Sequence, residues 1–111
     1  MAAITVGRVL SYLTDSIRTV SQAGTAARTS VAASVSDTLL VAANASRQAL
    51  IIYNQSDSPL YVGYGVSAVS TSSFTLIVSA NAEKELPGGF TGQIRGIWTV
   101  ATGNARITEI S

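Results

Sequence analysis

Fifteen serines and twelve threonines make the hydroxyl the commonest reactive group in this 111-residue chain. A hydroxyl becomes a nucleophile only beside a base, and the chain contains no His and a single Lys. Lys84 stands between Glu83 and Glu85, where its charge is neutralised on a solvated loop or strand end. The two glutamates are the carboxylate pair whose spacing invites a chemical reading. Two apart on a strand, both point the same way at about 7 Å, a separation within the range of paired glycosidase carboxylates. Their setting, Asn81-Ala-Glu-Lys-Glu85, is that of an exposed surface stretch and not of a cleft. Asp15, Asp37 and Asp57 are scattered, with no calcium-loop spacing around any of them. The absence of Cys and His removes disulfides, thiolate metal sites and imidazole ligands. No catalytic residue, no metal site and no cofactor is therefore expected.

The charges also speak against nucleic acid. Seven basic and six acidic residues leave a net charge of +1, and the basic ones form no run that would neutralise a phosphate backbone. Charged residues are 12% of the chain, against about 25% in a typical soluble domain. Ala, Ser, Thr and Gly supply 52 of the 111 residues, so hydroxyls and not charges must keep the surface wet. With hardly any Lys to guard strand edges, a free monomer would be prone to edge-to-edge association, and a homo-oligomer is expected. No run approaches the roughly 18 apolar residues of a membrane span, so no membrane partner is expected. The N-terminus lacks a basic stretch ahead of its apolar part and Arg8 interrupts that part, which reads as no secretory signal and a cytoplasmic site of synthesis. Asn44-Ala-Ser46 and Asn54-Gln-Ser56 match the glycosylation acceptor pattern, as chance allows in a Ser-rich chain.

One domain fits this length, burying roughly two thirds of the surface its unfolded chain exposes. Residues 1–29 read as an N-terminal arm and linker, and residues 30–111 as an all-β domain. Within the arm, Val6, Val9, Leu10, Leu13, Ile17 and Val20 line one face of a short amphipathic helix, with Thr5 as its cap; the β-branched content equally suits an extended arm that adds a strand to a neighbour. Ser21–Ser30, small and polar with Gly24, reads as the linker. The centre of the domain is Arg47–Gly65, where two apolar runs, Ala49–Tyr53 and Leu60–Tyr64, flank the turn-forming cluster Asn54–Pro59. This predicts a β-hairpin. The first run has no polar side and is expected to be covered on both faces, by the sandwich or by a neighbouring subunit. Phe74–Val78 reads as a further strand, and Leu86–Gly89 as a turn. Gly103-Asn104 suits a two-residue hairpin loop that sets Val100 opposite Ile107, Thr99 opposite Thr108 and Ile97 opposite Ile110. Seven or eight short strands at this spacing predict a β-sandwich or jelly-roll-like domain.

Tyr53, Tyr61, Tyr64, Phe74, Phe90 and Trp98 read as core and interface anchors, with a sugar-stacking platform as the rival reading. Leu40-Val-Ala-Ala-Asn44-Ala-Ser-Arg47, then Ala49-Leu-Ile-Ile-Tyr-Asn54-Gln-Ser56 and Leu60-Tyr-Val-Gly-Tyr-Gly65, resemble a pattern of small virion proteins of tailed bacteriophages. Gly92-Gln-Ile-Arg-Gly-Ile-Trp98 and Gly103-Asn-Ala-Arg-Ile-Thr-Glu109 continue the resemblance, which covers about residues 38–110 and leaves out the arm. It implies a β-sandwich structural component of the virion, a capsid decoration (cement) protein or head-fibre base. A trimer in contact with the major capsid protein or another virion protein would follow. The arm stripe with Tyr61 and Tyr64 forms the expected interface. The competing class is a carbohydrate- or receptor-binding module.

Overall fold

A computed structural model describes residues 24–86 and 89–111. Among these residues eight strands form two four-stranded antiparallel sheets: β1 (Ala26–Ala32), β2 (Thr38–Val41), β3 (Ala49–Gln55), β4 (Leu60–Tyr64), β5 (Leu76–Val78), β6 (Glu83–Leu86), β7 (Ile94–Trp98) and β8 (Asn104–Ile110). Sheet A has the order β1-β8-β3-β6 and sheet B the order β2-β7-β4-β5. The pairs β1·β8, β2·β7, β3·β6 and β4·β5 nest inside one another, as in a ribbon folded once at its midpoint. Rolling that ribbon brings β8 beside β3 and β7 beside β4, which closes the two sheets. This is the eight-stranded jelly roll. The arm stripe Val6, Val9, Leu10, Leu13 and Ile17 lies outside the described residues.

Period-2 alternation decides which side chains enter the core. Leu50 and Ile52 of β3, Ala105 and Ile107 of β8 and Leu86 of β6 point inward from sheet A. Leu60 and Val62, Ile94 and Trp98, Val78 and Leu40 answer them from sheet B. Each large side chain covered this way stabilises the fold by about 1.5–3 kcal/mol. Gly96 sits on the inner face of β7, where a Cβ would lie 2.8 Å from Leu40 Cδ1 and 2.9 Å from Leu60 Cδ1. Two leucines fill the space that a side chain there would need.

Several strands fall where the sequence puts them, yet their partners differ. The stretch Arg47–Gly65 is not a hairpin: β3 belongs to sheet A and β4 to sheet B, so residues 56–59 carry the chain across the sandwich. Asn54 has the inward parity of Leu50 and Ile52, and its bonds to the far side pull the chain over the core instead of back along β3. The terminal hairpin is also replaced. Ile107 faces Thr29 and Ile52, Thr108 faces Arg28 and Ile51, and Ile110 faces Ala26 and Ala49. Val100 lies in the exposed β7–β8 connection. Gly103, at φ +95°, steers that connection against β3, where a Cβ would come within 2.4 Å of Gln55 O.

Two boundaries shift as well. Ala26–Ser30, expected as linker, form most of β1, and Gly24 and Thr25 already donate to Ser111 O. An edge strand needs only backbone partners, and its small exposed residues carry no burial pattern. Phe74 precedes β5 rather than joining it, since β5 begins at Leu76. The outward residues of β3, Ala49, Ile51 and Tyr53, are half-buried, so the chain by itself covers one face of that strand fully and the other in part.

Candidate interaction surfaces

Two buried polar constellations join the sheets. The Asn44–Arg47 turn is closed by Arg47 N–H to Asn44 O at 3.0 Å, and Ser46 N–H donates to Asn44 Oδ1. This turn aims the Arg47 side chain, 1% exposed, into one end of the sandwich. There Nε donates to Glu109 Oε2 at 2.7 Å, Nη1 to Phe90 O and Gly92 O, and Nη2 to Ala42 O. A planar guanidinium satisfies three carbonyls and one carboxylate at once, which an ammonium cannot do. The sequence places Glu109 opposite Trp98; the structure places it on β8 beside Leu50, as the counter-ion of Arg47.

Asn54 does the equivalent at the other end of β3. It is fully buried, and Nδ2 donates to Ser58 O at 2.8 Å and Val78 O at 3.0 Å, with Ser79 O at 3.3 Å. Its Oδ1 accepts from Ser56 Oγ and from Trp98 Nε1, at 2.9 and 3.0 Å. Every polar atom of the amide is engaged, and a glycan has no access to it. Asn44, Arg47, Asn54, Ser56, Trp98 and Glu109 are thus fastenings of the fold. They identify an architecture more than a ligand.

The outer faces of the two sheets are the surfaces open to a partner. Across the outside of sheet B, Ile97, Tyr61 and Ile77 stand in one cross-strand row, and Phe74 meets the Tyr61 ring edge-on at 5.0 Å. No charge interrupts this row. Tyr64 lies on the opposite face of β4 and stacks on Phe90 at 5.0 Å, where burial raises its pKa. Tyr61 and Tyr64, paired as interface candidates from sequence, are therefore not brought together. Beside the row, the β4–β5 loop folds back over sheet B. Val69, 4% exposed, packs on Gly63, and its N–H donates to Asp37 Oδ1 at 3.0 Å. Arg95 grips the same carboxylate through Nε at 2.8 Å and Nη2 at 2.7 Å, and this holds the Asp37 pKa below the usual carboxylate value. Sequence reading missed this latch, since Asp37, Val69 and Arg95 are far apart along the chain.

The outside of sheet A is graded in charge. One row reads Arg28, Thr108, Ile51, Glu85 and the next Ser30, Arg106, Tyr53, Glu83. Glu83 and Glu85 are exposed on the β6 edge, as expected of solvated charges. Among the described residues no group of three His, Cys, Asp or Glu side chains is placed to hold a metal ion. No helix among them is long and apolar enough to cross a membrane. No protein-family model matches the chain, and no curated protein or solved structure matches it at a significant level.

Proposed function

We propose that this protein is a non-enzymatic structural component of a phage virion, a decoration (cement) protein that binds and stabilises the assembled head. The carrying observation is the uncharged row Ile97–Tyr61–Ile77 with Phe74, a surface suited to contact with protein. The resemblance over residues 38–110 supports the same reading, and the jelly roll, common in capsid and lectin domains, adds support by fold analogy. In this reading the protein is synthesised in the host cytoplasm and ends in the virion. It forms a homo-oligomer, a trimer by preference, and the arm stripe of Val6, Val9, Leu10, Leu13 and Ile17 clamps a neighbouring capsid subunit.

The test is co-sedimentation with phage heads that lack the protein. Wild type should pellet with assembled shells and not with isolated coat subunits. Removing residues 1–20, or placing Leu10→Asp with Leu13→Asp, should weaken pelleting sharply while the β-type circular dichroism persists, because a charge in an apolar contact costs several kcal/mol unless paired. Failure of the wild type to bind shells would sink the reading. The edge-to-face pair of half-buried Tyr61 with exposed Phe74 favours a second reading, a carbohydrate- or receptor-binding module of a fibre or tail. Saturable glycan perturbation of those two rings in NMR spectra, without shell binding, would select it.

A further inference from the structure

We propose that copies of this chain join head to tail through the two edges of sheet A, the β1 edge of one copy receiving the β6 edge of the next. The proposal deepens the homo-oligomer named above and rests on it.

Among the described residues nothing pairs with the outer side of β1 or of β6, the first and last strands of the sheet. β1 is seven residues long, six of them exposed, and carries neither Pro nor Lys to discourage pairing. Such an edge is a template for another strand. β6 presents the opposite character, with Glu83, Lys84 and Glu85 all exposed.

The charges choose the partner. Arg28 stands on the β1 edge and Arg106 on the adjacent β8, and a depression of about 430 Å3 lined by Arg28, Thr29, Ser30, Arg106, Ile107 and Thr108 runs along them. Arg106 Nε donates to Gln55 Oε1 at 2.8 Å, which fixes the guanidinium on the outer face. Among the described residues no carboxylate pairs with either arginine. At the far edge Glu83 and Glu85 project from the same outer face, in the rows that contain Arg106 and Arg28. Strand direction alternates across β1, β8, β3 and β6, so a following copy with its outer face on the same side adds its β1 antiparallel to β6. Arg28 of that copy then lies across from Glu85 or Glu83, an opposite-charge cross-strand pair. Two copies meeting β1 to β1 would instead set Arg28 near Arg28. A contact between unlike edges is heterologous and closes into a ring when its rotation allows.

The experiment is reciprocal charge reversal in the full chain, read by light scattering. Arg28→Glu with Ser30→Glu sets like charges against β6, and Glu83→Arg with Glu85→Arg sets them against β1. Each double variant alone should sediment as a single chain with unchanged circular dichroism. Mixing the two should restore association, as should all four substitutions in one chain. Raising salt should weaken assembly of the wild type. If Glu83→Arg with Glu85→Arg leaves the wild-type oligomer intact, the edge contact is overturned while the oligomer stands. If both double variants dissociate and neither the mixture nor the quadruple variant reassembles, the charge pairing is overturned. If wild type is a monomer at high micromolar concentration, the oligomer itself fails, and shell binding still tests the virion reading separately.

Discussion

The two ends of β3 solve one problem with different chemistry. At the start, Arg47 ties the end of β2, the chain before β7 and the Glu109 carboxylate of β8 with a charged fork. Near the finish, Asn54 ties the β3–β4 crossing, the end of β5 and Trp98 of β7 with a neutral amide. Both fasten sheet A to sheet B where connections leave carbonyls without ladder partners. They differ in what remains when they are removed: a carboxylate that has lost its counter-ion at the first end, neutral groups at the second.

The largest expected effect follows from that difference. Arg47→Met keeps most of the side-chain volume but leaves Glu109, 17% exposed, and three carbonyls without their donor. Breaking a buried pair from one side costs about 3–5 kcal/mol, which urea denaturation would register as a lower midpoint at unchanged slope. Adding Glu109→Leu should recover part of the loss, and Arg47→Lys should recover little, because one ammonium cannot reach four acceptors. A loss below about 1 kcal/mol would mean that water replaces the fork at no great cost.

Asn54→Leu comes next, at about 2–4 kcal/mol. It takes the acceptor from Trp98 Nε1 and Ser56 Oγ and the donors from the Ser58, Val78 and Ser79 carbonyls. Trp98→Phe removes the indole N–H and orphans one side of Asn54 Oδ1, so the two substitutions should be sub-additive in a double-mutant cycle. Full additivity would break the view of this end as one connected network.

These fastenings also explain what was legible in the sequence. The strands Ala49–Tyr53, Leu60–Tyr64 and Ala105–Ile110 show in their apolar patterning, a strand over 93–100 brackets the observed Ile94–Trp98, and the Asn44–Arg47 turn shows in its residue types. Seven or eight short strands at this spacing pointed to the sandwich class. Which strands pair did not show, because Asn, Ser, Gly and Pro suit a crossing between sheets as well as a hairpin. The deciding contacts span long separations, 44 residues for Asn54 with Trp98 and 62 for Arg47 with Glu109. One local signal was present: Asn54 continues the parity of Leu50 and Ile52, and a polar group on a buried face must find partners across the core. Of the candidate site, Tyr61 was readable as an outward residue by alternation. The Ile97–Tyr61–Ile77 row was not, since it depends on the strand order of sheet B.

Outside the sandwich the comparison turns from stability to attachment. Tyr61→Ser trims an outer-face ring that contacts Phe74, and should lower stability by about 1 kcal/mol or less. If the row is the docking surface, the same change should weaken shell binding roughly thirtyfold, the loss of an interface anchor worth about 2 kcal/mol. The Arg47 and Asn54 variants, assayed while still folded, should bind as wild type does. Equal binding by Tyr61→Ser and wild type would move the search for the attachment surface to the arm stripe.

The smallest expected effect belongs to the exposed counterpart of the Arg47–Glu109 pair. Arg95 and Asp37 form a similar ion pair on the outside of sheet B, each side chain a little over one fifth exposed, where solvent screens what the interior does not. The Asp37 pKa is lowered first by the Arg95 hydrogen bond, with the Val69 N–H adding to it against the opposing effect of burial. A carboxylate whose folded pKa is depressed contributes stability that is present above its unfolded value and disappears as pH falls through the folded value. The stability gap between wild type and Asp37→Asn should therefore be constant near neutral pH, shrink below the ordinary carboxylate range and close once Asp37 is protonated. Val69 should report the same event, since its amide loses a charged acceptor. Its hydrogen exchange, corrected for intrinsic rates, should quicken in Asp37→Asn at neutral pH and match wild type in acid. A gap that widened on acidification would show that Asp37 is held above its unfolded pKa, contrary to an anion gripped by Arg95.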